Sequence, residues 1–217
     1  MVAILFARAI PAQQTVSFPT DDGGQVYADV YGGGIHGVVL AHGGQFNKES
    51  WKKQATVLAT AGFHVLAIDF RGYGPSRGPG QSNPMDAPLY FDVLAAVRYL
   101  RKIGAKSVSV VGASMGGWAA GEASIRSEPG EIDRIVFLGS APLGSAEKLK
   151  ARSLFIVARD DTSGDGPRLP GIRAQFEKTP EPKQLIIVDG SAHAQFLFQT
   201  DQGEKVMREI LDFLSAK

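Results

Sequence analysis

Gly112-Ala113-Ser114-Met115-Gly116-Gly117 has the form G-x-S-x-G, directly after the apolar run Ser107-Val108-Ser109-Val110-Val111 and before a stretch of small residues. A serine on a sharp strand-to-helix turn is lifted above the strand ends, and the flanking glycines let the two backbones approach. The tip of the following helix favours developing negative charge there. A neutral hydroxyl is a poor nucleophile and needs a base within hydrogen-bond reach. The chain has four histidines, of which His36 and His64 begin apolar runs and His42 ends one. His193, in Val188-Asp189-Gly190-Ser191-Ala192-His193, follows the last apolar run and precedes the last helical pattern, so its ring can reach back over the strand ends. A carboxylate is then needed to hold the imidazole in its productive tautomer. Asp160 and Asp161 end the run Leu154–Ala158, between serine and histidine in the chain. Position alone does not separate the two. Acyl transfer also needs donors for an oxyanion. These are the backbone N–H of Met115 and, from the loop Ala41-His42-Gly43-Gly44-Gln45-Phe46, that of Gly44, with Gln45 as the alternate. His42 is read as a brace for that loop. Phe46, Phe196 and Phe198, near the loop and the base in sequence, are candidates for the substrate pocket wall.

Eight apolar, β-branched runs must position these groups: 15–18, 25–31, 37–41, 64–69, 107–111, 134–138, 154–158 and 184–188. The last six are nearly continuous, as in parallel strands covered on both faces. The first two alternate and lie close together, which predicts an antiparallel hairpin at one edge. Helical patterns cover 49–61 (capped by Asn47), 89–103, 115–127, 202–215 and, more weakly, 171–178. Alternating strand and helix gives a three-layer α/β arrangement, a mostly parallel sheet of about eight strands with helices on both faces. Chemistry in such sheets collects beyond the carboxyl ends of the strands.

Composition fits this frame. The chain has 217 residues, 44% hydrophobic and 21% charged, enough for one domain over 1–217 with an ordinary core. Net charge is +1 with no basic stripe, so nothing recommends nucleic acid as a partner. The absence of cysteine excludes a thiol nucleophile and cysteine-ligated metal. No metal-ligand cluster and no phosphate loop is legible, and neither metal nor cofactor is expected. No stretch approaches the roughly 20 apolar residues of a membrane span. Residues 1–12, MVAILFARAIPA, read either as the remnant of a signal segment or as an N-terminal extension on the domain. The first would mean export; the expectation is otherwise a cytoplasmic protein.

The segments HGGQF, AIDFRGYGPSRG, GASMGG, FIVARDD and DGSAH together resemble the α/β-hydrolase superfamily, from about Gly37 to the C-terminus. The resemblance implies the chain order serine, acid, histidine. In that family the acid often stands three residues after a glycine at the strand end. Ala158 occupies the glycine's place, which points to Asp161, with Asp160 as the alternate. The turn Asp69-Phe70-Arg71-Gly72-Tyr73-Gly74-Pro75-Ser76 resembles one that is structural in the family. Many members insert a lid after the strand bearing Val136, but only 15 residues separate Leu138 from Leu154, too few for a helical cap. The chain therefore looks like the small lidless serine esterases and the dienelactone-hydrolase-like proteins. The implied activity is hydrolysis of small-molecule carboxylic esters with short or medium acyl groups through an acyl-enzyme. Thioesters, lactones and small amides pass through the same intermediate, and peroxide could replace water. A ligand receptor or a scaffold of the same fold would be the alternatives outside enzymes.

Overall fold

The computed structural model describes residues 14–216, so the expectation for residues 1–12 lies outside the described residues. In chain order the elements are β1 (Gln14–Pro19), β2 (Gln25–Gly32), β3 (His36–Ala41), α1 (Lys52–Thr60), β4 (His64–Asp69), α2 (Tyr90–Lys102), β5 (Ser107–Ala113), α3 (Met115–Arg126), β6 (Arg134–Leu138), β7 (Arg152–Ala158), the short pair β8 (Thr162–Ser163) and β9 (Gly166–Pro167), α4 (Arg168–Lys178), β10 (Lys183–Val188) and α5 (Gly203–Ser215). Short 3-10 turns at Lys48–Trp51, Ala146–Lys148 and Ala194–Gln199 complete the set.

Eight strands form one sheet in the order β1-β2-β4-β3-β5-β6-β7-β10. The hairpin β1–β2 is antiparallel and joins β4 antiparallel, while the six strands from β4 to β10 run parallel. Side chains alternate between faces with period two. Val39 and Ala41 of β3 belong to the core shared with α2, α3 and α4, where Leu100, Ala120 and Ile172 pack. Val38 and Leu40 face the other core, with Leu58 of α1 and Ile210 and Leu214 of α5. Both faces are thus covered, which explains why the central strands read as unbroken apolar runs.

The chain leaves β3 through α1 toward β4, then returns across β3 through α2 to β5. The winding therefore reverses between β3 and β5, and a crevice opens beyond their carboxyl ends. Ala41 pairs with Gly112 in that register, so the glycine loop after β3 and the serine turn after β5 emerge side by side. Between β6 and β7 the chain makes a single short 3-10 turn, without a cap helix. One helix starts earlier than its apolar pattern indicates. α4 begins at Arg168, because Pro170 falls in its first turn, where a backbone donor is not needed.

Candidate active site

Ser114 sits between β5 and α3 with φ 49° and ψ −115°, a left-handed conformation unusual for a serine. Tight packing holds it there. A Cβ on Gly112 would stand 2.5 Å from the Gly116 carbonyl oxygen, and one on Gly116 would stand 2.2 Å from that of Ala41. Only hydrogen fits at either place. The Ser114 amide donates to the Leu138 carbonyl at 2.9 Å, tying the turn to β6.

The histidine and the carboxylate expected beside it follow later strands, β10 and β7. His193 Nε2 lies 2.8 Å from Ser114 Oγ, and His193 Nδ1 lies 2.8 Å from Asp161 Oδ2. The Asp161 side chain is fully shielded from solvent, whereas that of His193 remains 26% exposed. Asp160 is exposed on the outside of the same turn. The geometry therefore brings Ser114, His193 and Asp161 together and leaves Asp160 out. If Asp161 is ionised, Nδ1 carries the proton and Nε2 is left as the acceptor facing the hydroxyl.

The loop after β3 is pinned from several sides. His42 is wholly buried; the Phe70 amide donates to its Nε2 at 3.2 Å, so its Nδ1–H donates to the Gly43 carbonyl at 2.8 Å. Burial pushes its imidazole down to about 4, which keeps it a neutral brace. The Gly43 amide donates to Oε1 of buried Gln195 at 2.8 Å, and Gln195 Nε2 donates to Ser50 Oγ at 2.9 Å. Tyr73 Oη donates to the Gly44 carbonyl at 2.9 Å. Burial raises that phenol, so it stays a donor. Gly43, Gly44 and Gln45 line the same cleft as Ser114 and Met115. The Met115 amide, at the first position of α3, is one that a helix leaves without an internal acceptor.

The cleft has a volume of about 220 Å³. Beyond the loop, Ser114, Met115 and His193 it is lined by Phe46, Phe196, Met85, Trp118, Ala194 and Arg168. A smaller, mostly apolar hollow of about 140 Å³, with Glu122 in its wall, continues past Met85, Met115 and Trp118 toward Leu143. Of the three phenylalanines expected at the wall, Phe46 and Phe196 are there, with ring centroids 4.9 Å apart. Phe198 is not. Two residues on in a three-residue-per-turn helix it points elsewhere, packing edge-on against buried Trp51. His36 and His64 lie at the opposite, amino ends of β3 and β4.

Several cleft residues escape a reading of the sequence. Met85 belongs to a long loop between β4 and α2, carried over the crevice by the Asp69–Ser76 turn. That turn is indeed structural: buried Arg71 forms a salt bridge to Asp92 at 2.6 Å, and Ser76 Oγ accepts from the Tyr27 amide. Nothing in the spacing marks Met85, Trp118 or Arg168. Gln195 did leave a signal, as a single amide between apolar neighbours two residues after the base. Among the described residues no group of three or more potential metal ligands occurs, and no helix is long and apolar enough to cross a membrane.

Comparison with known proteins agrees with this architecture. Residues 38–210 match the family model described as the alpha/beta hydrolase family. A non-heme haloperoxidase of Rhodococcus erythropolis is 30% identical over 121 residues, 56% of this chain and 42% of that protein. The match thus spans less than half the length of that relative. Protein ABHD14A of Danio rerio is 25% identical over 82% of this chain and 64% of its own length. Among solved structures, a CIB-like hydrolase from Thermoplasma acidophilum superposes with a TM-score of 0.75 at 22% identity, covering 95% of this chain and 99% of that one. An esterase from Pyrococcus furiosus gives 0.76 at 19% identity, with 93% and 90% covered. These likenesses share the fold of the sheet and its helices. With the family model spanning the crevice and every strand that feeds it, the chain belongs to the alpha/beta hydrolase family.

Proposed function

We propose that the protein hydrolyses small carboxylic esters through an acyl-enzyme on Ser114. The observation that carries this reading is the continuous pair of 2.8 Å contacts from Asp161 through His193 to Ser114 Oγ. His193 takes the hydroxyl proton as Oγ attacks the ester carbonyl, and the oxyanion is met by the amides of Met115 and Gly44, with Gln45 as the alternate. His193 then gives the proton to the leaving alkoxide, freeing the alcohol. Water, deprotonated by the same ring, cleaves the acyl-enzyme, releases the acid and restores Ser114. Asp161 holds the ring and stabilises its charged form. A 220 Å³ cleft favours short or medium acyl groups, because methylenes beyond it stay in water. The names of the esterases among the structural neighbours support the same reading.

The non-heme haloperoxidases among the relatives favour one companion activity. Hydrogen peroxide in place of water would convert the acyl-enzyme to a peracid and free serine. The test of both is turnover of p-nitrophenyl esters, with and without peroxide, by the wild type and by Ser114→Ala. Wild-type turnover that the variant loses supports the hydrolase; equal rates from the variant overturn it. Peracid formation dependent on Ser114 separates the companion activity from plain hydrolysis.

A further inference from the structure

Arg168 occupies an unusual place. The hairpin β8–β9 leaves the acid turn and returns at once, and the Arg168 amide donates to the Asp161 carbonyl at 2.9 Å. Seven residues downstream of the acid, an arginine is thereby folded back beside it. Its Nε lies 3.4 Å from Asp161 Oδ1, yet both atoms are shut off from solvent and neither has a hydrogen-bond partner. The guanidinium edge facing the acid is a charge neighbour without being bonded to it. Arg168 lines the cleft and the adjoining hollow by Ser140 and Gln175, its side chain is 29% exposed, and its terminal nitrogens make no hydrogen bond among the described residues. A cation at a helix N-terminus is also opposed by the helix dipole, so α4 alone gives no reason for an arginine at its first position. Apart from His193, Arg168 is the only ionisable side chain among the described residues lining this cleft, and the one carboxylate near it, that of Asp161, lies behind the lining. The remaining wall is neutral: Phe46, Phe196, Met85, Met115 and Trp118.

We propose that Arg168 makes the cleft selective for esters that also carry a carboxylate, held by the terminal nitrogens of the guanidinium while Ser114 attacks the ester carbonyl. A planar fork with two free donors matches a carboxylate, and a low-dielectric apolar wall strengthens the pairing. This deepens the hydrolase reading and rests on it for the chemical step, but the anion subsite itself can be tested without turnover.

Two measurements separate the claims. First, kcat/KM is compared within matched pairs: the p-nitrophenyl monoester of glutaric acid against its methyl-capped diester, and 4-acetoxybenzoate against its methyl ester. The charge lies in the acyl half of the first pair and in the alcohol half of the second, so the preferred arm identifies the half that Arg168 reads. Because Arg168 also faces Asp161, its replacement will alter turnover on every ester, and the readout is the ratio within each pair. Second, monomethyl glutarate and dimethyl glutarate are titrated into Ser114→Ala protein, following tryptophan fluorescence, to which Trp118 in the cleft wall and buried Trp51 both contribute. The expected result is a preference of tenfold or more for the anion in binding and in at least one pair, weakened by salt. Arg168→Gln should abolish it and Arg168→Lys should retain part. Equal binding of the two glutarates, or a preference that survives Arg168→Gln, overturns the proposal. Anion-selective binding without Ser114-dependent turnover would instead overturn the hydrolase reading and leave the subsite standing.

Discussion

Replacing Gln195 with leucine removes one buried and one partly buried hydrogen bond while keeping most of the side-chain volume. The Gly43 amide loses its acceptor and Ser50 Oγ loses its donor. Gln195 is 4% exposed and Gly43 is buried, so water has little access to replace the first bond, whereas exposed Ser50 can turn to solvent. An orphaned buried amide costs about 1–3 kcal/mol. The loop can bear that cost in place, or relieve it by moving Gly43 outward and taking the adjacent Gly44 amide with it. In the second case the same energy becomes a bias against the catalytic loop geometry, a factor of about 5–150. That range lies mostly below the 10²–10³ expected for complete loss of one oxyanion donor. The predicted outcome is therefore a fall of about one to two decades in kcat on p-nitrophenyl acetate with KM changed only a few-fold. Equal losses in kcat and kcat/KM mark an interaction made in the transition state. Urea unfolding of the same variant measures the share borne as stability. A Gln195→Leu protein with wild-type kcat would refute the claim that this amide holds the oxyanion loop, whatever its stability.

The remaining predictions concern the acid, a buried histidine and the cleft. Asp161→Asn should lower kcat by orders of magnitude, as the equivalent change does in serine proteases, about 10⁴-fold, while exposed Asp160→Asn should cost less than tenfold; steady-state kinetics of both variants decide, and a reversed order would move the role to Asp160. His42, neutral when folded with its value lowered to about 4, takes up a proton more readily unfolded, near 6.5. Its contribution to stability is thus complete above about pH 6.5 and is lost as pH falls toward 4, at most roughly 3 kcal/mol. Urea midpoints from pH 8 to 4 should show that loss, flattened in His42→Gln; an equal slope in the variant would assign it to other groups. Across p-nitrophenyl esters kcat/KM should peak at acyl chains of roughly two to six carbons without interfacial activation, since each further methylene outside the cleft forgoes about 0.8 kcal/mol. A maximum at long chains with a rise above the solubility limit would contradict the open cleft.

The eight strands were legible because burial on both faces leaves little room for polar residues, and the turn residues punctuate the runs. Ser114 and His193 were legible because the roles proposed for them require particular places relative to strand ends. Asp161 needed more than position; its adjacent partner Asp160 has the same chemistry, and burial and the contact with His193 separate them only in the fold. Met85, Trp118 and Arg168 reach the cleft by tertiary packing across three different connections, and no local pattern encodes such a meeting. Phe198 misled for the opposite reason: closeness in sequence to His193 says nothing about direction once a 3-10 turn rotates the next residues apart.

The central claim is that Ser114 is a nucleophile activated by His193. Its most direct test is reaction with a fluorophosphonate, followed by intact-mass measurement and peptide mapping. One adduct per chain, on Ser114, absent in Ser114→Ala and strongly slowed in His193→Ala, is the predicted result. Labelling at another residue, or no labelling of correctly folded wild-type protein, would contradict it.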